Sequence, residues 1–171
     1  MYTDQEWIFY PMSNMNTFYY YNQSLYLYLT NRDGQSVDPT IHKKNLWMEL
    51  IVTKKMIDDY KKYINKSKIQ NQEYMKIKLL NRCMLMYQFY LVNYRNSVEL
   101  NKLREFDLLL KKELSAVYYE LNQISLSFFK FKYIKIWRKN YSTNTVLFQL
   151  FYIVMRFQSF VNFLIKKLKE K

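Results

Sequence analysis

The sequence predicts a mainly α protein: an antiparallel helical bundle with an extended N-terminal arm, one or two short strands and a basic C-terminal helix. Three observations predict it. Apolar residues recur at three- and four-residue steps from Leu46 to Ile124, the spacing of one helical face. Helix breakers are scarce, with one Gly and two Pro in 171 residues. On either side of this stretch the helical period is lost, and short Leu/Tyr and Phe/Lys alternations replace it. The expected divisions are an aromatic-rich arm over 1–37, a helical bundle over 38–125, and a basic strand-like segment with an apolar helix over 126–171.

The arm is rich in Tyr and Asn and sets Asp4, Glu6 and Asp33 against a single basic residue, Arg32. From Ser24 to Thr30 Leu and Tyr alternate at period two, and Asn31-Arg32-Asp33-Gly34 follows as a turn signature. A strand or hairpin is expected there. The rest of the arm has little to bury by itself and is expected to order against a protein neighbour.

Asp38-Pro39 marks the first helix of the bundle, since Asp is a favoured N-cap and Pro at the first helical position gives up no intrahelical bond. Leu46, Leu50, Ile57, Tyr60 and Ile64 form its stripe, widened by Trp47 and Ile51, and the helix is expected to end near Lys66. After a polar break over 65–71, Ile77, Leu80, Met84, Tyr87, Leu91 and Tyr94 place a second helix over 72–95. Asn96 with Glu99 resembles a capping box. Leu103, Phe106, Leu110, Leu114, Val117, Leu121 and Ile124 then mark one continuous third helix. Short polar connections favour antiparallel neighbours, and the stripes, with Met84 and Met86, read as plain core.

Beyond the bundle, Phe129-Lys130-Phe131-Lys132-Tyr133 alternates aromatic and basic residues. As a strand it would put Phe129, Phe131 and Tyr133 on one face and Lys130 and Lys132 on the other. A cap-rich linker over 140–144 leads to residues 146–165, which hold 15 apolar residues in 20, and Lys166, Lys167, Lys169 and Lys171 follow.

The shortages exclude most catalytic designs. A phosphate-cradling loop needs several glycines, and Gly34 is alone. Zinc needs clustered Cys and His, whereas Cys83 and His42 are each the only one of their kind. Cys83 sits in an apolar run and reads as a small buried hydrophobe, and His42 beside Lys43 and Lys44 reads as a surface residue. Asp58 and Asp59 are adjacent, so on a helix their carboxylates diverge. No catalytic residue, metal, cofactor or small-molecule substrate is expected.

Charge points instead to a polyanion. The chain is +13 at neutral pH. Residues 42–127 carry 16 basic and 9 acidic residues, whereas 128–171 carry ten basic residues and one acid, Glu170. Such a local excess raises self-repulsion and is best explained by an anionic partner. For RNA, Lys130, Lys132, Lys135, Arg138 and Lys139, with Lys166, Lys167 and Lys169, are the expected phosphate contacts, and Tyr133, Trp137 and Tyr141 the expected stacking faces. For a membrane, 146–165 has the required length and the following lysines suit anionic headgroups. Against insertion stand Gln149, Gln158, Ser159, Asn162 and Arg156, the last costing about 2.5–3.5 kcal/mol near the bilayer centre. A helix docked on protein fits that pattern better.

Phe, Tyr, Met, Ile, Asn and Lys, all with A/T-rich codons, fill 87 of 171 positions, while Gly, Ala and Pro together fill four. In this the chain is similar to proteins encoded in the reduced, AT-rich organellar genomes of protists. The acidic opening matches neither a secretory signal nor a mitochondrial presequence, so synthesis inside the mitochondrion, and a matrix location, is expected. Together these readings predict a non-catalytic structural subunit of a mitochondrial ribosome that touches rRNA and neighbouring subunits. The alternative is an accessory subunit of an inner-membrane respiratory or ATP synthase complex, with 146–165 as a membrane helix.

Overall fold

The computed structural model describes residues 4–17, 19–24, 45–94, 97–125, 131–143, 146, 148–155 and 157. The protein is mainly helical, with no sheet among the described residues. It divides into two compact units, Met1–Met86 and Tyr87–Lys171. The divide falls inside one helix.

The first unit contains α1 (Asp4–Met12), α2 (Leu46–Tyr63), a 3-10 turn (Ile64–Lys66) and the first part of α3 (Ile69–Asn93). Residues 4–12 are thus helical where an extended arm is expected. Acids at its start suit the helix dipole, and Pro11 weakens the ladder near its end, where the Ser13 hydroxyl donates to the Tyr10 carbonyl at 2.9 Å. α1 packs on α2, with Phe9 buried and the Tyr10 and Tyr63 rings edge to face at 5.2 Å. Asn71 holds the chain after α1 by donating to the Met15 carbonyl at 2.7 Å. Tyr19, Tyr20 and Tyr21 beyond it are non-helical and exposed.

α2 ends in its 3-10 turn at Lys66, as its stripe implies. Its described start is Leu46; Asp38-Pro39, His42 and the expected strand and turn over 24–34 lie outside the described residues, apart from the non-helical Ser24. Met56, Ile57, Met75, Leu79, Cys83 and Met86 are buried in this unit. Glu49 of α2 and Arg82 of α3 form an ion pair with both side chains largely buried.

The second unit continues from Tyr87 through α4 (Ser97–Glu113), α5 (Ser115–Leu121), α6 (Tyr133–Asn140) and a helical stretch over 148–155. The single helix expected through residue 124 is broken: Leu114 is non-helical at φ −139°, ψ 66°. Leu110, Val117 and Leu121 are nonetheless all buried, so the stripe survives the break that it hides. Of the strand expected near 129–139, residues 129 and 130 lie outside the described residues with the rest of 126–130, Phe131 holds a single β-bridge, and only the part from Tyr133 is corrected, where the chain is α6.

Tyr90 is fully buried in this unit, and its hydroxyl has no hydrogen-bond partner among the described residues. Burial, aided by the charge of Glu99, pushes that hydroxyl up to about 12. In the unfolded chain it titrates near 10. Below pH 10 both states hold the proton; above it the unfolded chain releases a proton that the folded one retains, so stability falls as pH rises toward 12. Tyr90→Phe is expected to flatten this alkaline loss and to leave neutral-pH stability unchanged or higher, because a buried unbonded hydroxyl is removed. Denaturant melts from pH 8 to pH 11.5 test it, and a clear loss of stability at pH 7 would contradict it.

Candidate nucleic-acid interface

α6 sorts its residues by side. At about 100° per residue, Lys132, Lys135 and Lys139 fall within an arc of about 60°. Tyr133, Ile134 and Trp137 fall opposite, and all three are fully buried. Lys135 and Lys139 are exposed, and neither pairs with an acid among the described residues. Lys132, at the helix start, is partly exposed and its ammonium donates to Gln123 Oε1 at 2.6 Å. Cations near the C-terminal end also favour the helix itself through its dipole.

Arg138 belongs to the interior. Its Nε donates to Asp107 Oδ1 at 2.8 Å, and its Nη2 lies 2.7 Å from the same carboxylate. Nη1 donates to the Tyr118 carbonyl at 2.7 Å and to Asn122 Oδ1 at 2.8 Å. The guanidinium sits 3.6 Å from the centre of the Tyr118 ring. Asp107 is itself fully buried and accepts further hydrogen bonds from the hydroxyls of Tyr87 and, at 3.2 Å, Tyr141. Burial acts to lower the Arg138 pKa, and Tyr87 and Asp107 more than reverse it, so the guanidinium stays charged. This arginine joins residues of α3, α4, α5 and α6 through a saturated network, the arrangement that makes a buried charge tolerable.

Several sequence expectations are corrected here. Arg138 cannot grip RNA while its donors are spent inside the fold. Tyr133 and Trp137 cannot stack on bases, since both rings are fully buried. Trp137 lies edge to face with Tyr87 at 5.9 Å and with Tyr141 at 5.0 Å. The C-terminal excess is also smaller than it looks, because Asp107 balances one of its charges. Tyr141 is half-buried at φ 48°, ψ 35°. With so little Gly in the chain, this left-handed cap falls on a tyrosine. Asp107 and Trp137 hold it in place, and the Arg104 guanidinium lies 4.8 Å from its ring centre. Burial, then the Asp107 carboxylate, raises its hydroxyl pKa.

Lys130, Lys166, Lys167 and Lys169 lie outside the described residues. Of the expected phosphate contacts, the structure therefore brings together Lys132, Lys135 and Lys139. The network around Asp107 was missed by sequence reasoning, although a signal exists: an acid among Leu103, Phe106 and Leu110, on the buried side of α4. Cys83 is buried, and among the described residues no group of three His, Cys, Asp or Glu could hold a metal. No described helix is long and apolar enough to cross a membrane. No family model, curated protein or solved structure matches the chain.

Proposed function

We propose that this protein is a non-catalytic structural subunit of a mitochondrial ribosome that contacts rRNA phosphates through its C-terminal segment. The observation that carries the reading is the lysine face of α6. Lys132, Lys135 and Lys139 span about two helical turns, roughly 10 Å of rise, on a helix whose opposite face is locked into core. A row of lysines on a helix anchored by its buried face needs no backbone rearrangement to meet a phosphate backbone, which limits the entropy lost on binding. Lys130, Lys166, Lys167 and Lys169 extend the positive charge along the sequence. With the stacking rings buried, recognition rests on phosphates and so follows backbone shape more than base identity. Residues 38–125 are proposed to form an antiparallel bundle, and the exposed Tyr19, Tyr20 and Tyr21 beyond α1 are proposed to rest on a protein neighbour. Organellar synthesis is proposed from the codon-biased composition.

Binding to a structured rRNA fragment should weaken linearly in log affinity against log salt. Lys132→Glu/Lys135→Glu/Lys139→Glu is expected to reduce that slope by about 2 to 3, the counterions of three phosphates, with helix content unchanged. An unchanged slope would remove α6 from the interface. Retention of the native protein in membranes after alkaline carbonate would favour the inner-membrane accessory subunit instead.

A further inference from the structure

The helical stretch over 148–155 carries apolar residues on two opposite faces. Phe148 and Phe151 lie on one side and are buried. The Phe151 ring stacks on Tyr133 at 5.3 Å and lies 5.9 Å from Phe131. Val146, Leu150, Ile153 and Phe157 fall on the other side, within an arc of about 60° at helical spacing. They are 77%, 54%, 61% and 67% exposed. Single exposed apolar residues are ordinary, but four in register on one helix form a patch. Their steps of four, three and four residues are those of a coiled-coil seam, and Phe160 and Leu164 continue the same heptad in the sequence.

We propose that this seam docks an amphipathic helix of a neighbouring protein whose flanking positions are acidic. Three arguments select that occupant. The spacing is that of a helix receiving a helix, knobs into holes. Charge selects its flanks: between Glu120 and Glu170 the sequence holds nine basic residues and no acid. Charge also opposes a second copy. Parallel pairing would set Lys166, Lys167, Lys169 and Lys171 beside their duplicates, and antiparallel pairing would turn them toward the end of the segment that carries Lys135 and Lys139. A bilayer is opposed by Arg156, Gln158, Ser159 and Asn162, and by the protein already covering the Phe148 and Phe151 side.

The seam is independent of the α6 lysines, so this inference and the RNA reading can fail separately. The test uses the full chain and two designed helical peptides with Leu at the seam positions, one with Glu and one with Lys at the flanks. Anisotropy is expected to show the Glu peptide binding at least about tenfold tighter than its Lys twin. Leu150→Asp/Ile153→Asp, which leaves the basic residues in place, is expected to lose about tenfold or more of that binding with unchanged helix content and RNA salt slope. Equal binding of the twins, or an unaffected variant, overturns the proposal. So does a dimer in sedimentation that the same variant dissociates, or flotation with anionic vesicles that it abolishes.

Discussion

Replacing Asp107 with alanine is expected to destabilise the second unit of the chain strongly. The carboxylate is fully buried and holds Arg138 through two guanidinium nitrogens as well as the hydroxyls of Tyr87 and Tyr141. Without it a permanently charged guanidinium stays behind in a dry site, a situation that costs about 3–5 kcal/mol. That is a large fraction of the roughly 5–15 kcal/mol by which domains are stable. Desolvation, more than the lost attraction, sets this magnitude, and a paired replacement separates the two. Asp107→Leu/Arg138→Met removes both charges and is expected to recover much of the loss, leaving the Tyr87 and Tyr141 hydroxyls, the Tyr118 carbonyl and the Asn122 side chain, which lose their partners, as the residual cost. Urea unfolding of the single and double variants measures it. A single variant within about 1 kcal/mol of the parent would show that the network contributes little.

Trp137→Ala is the second large effect, and it separates two uses of an aromatic ring. As core, the side chain fills space beside Tyr87 and Tyr141 and should cost about 3–5 kcal/mol when removed. Trp137→Phe should cost much less, because the indole N–H has no hydrogen-bond partner among the described residues and only ring volume is lost. RNA affinity per folded molecule should be unchanged in both. The opposite pattern, intact stability with binding weakened by about 1–3 kcal/mol, is the signature of a base-stacking ring.

Where the sequence was legible, one face dominated. α2, α3 and α4 each bury a stripe, with Val52 and Met56, Met75 and Leu79, and Leu103 and Phe106 at helical steps. α1 shows less of one: from Ile8 to Met12 Phe9 is buried, while Ile8 and Tyr10 face outward. α6 was obscured by its approach, because the period-two run ending at Tyr133 suggests a strand. The helical evidence begins only there, with Tyr133, Ile134 and Trp137 on one side and Lys132, Lys135 and Lys139 on the other. The break at Leu114 is invisible because it leaves the stripe in register. Arg138 reads as one more surface cation until the fold brings it to Asp107, 31 positions earlier. Net charge by segment cannot reveal such a pairing, because it counts charges without locating their partners.

The most direct test of the account follows the endogenous protein through a density gradient of mitochondrial lysate, with and without ribonuclease. Migration with a ribosomal particle, and release from it once the RNA is digested, is the expected result. A protein that sediments with a large complex indifferent to ribonuclease, or that travels with membranes, would contradict the assignment to rRNA.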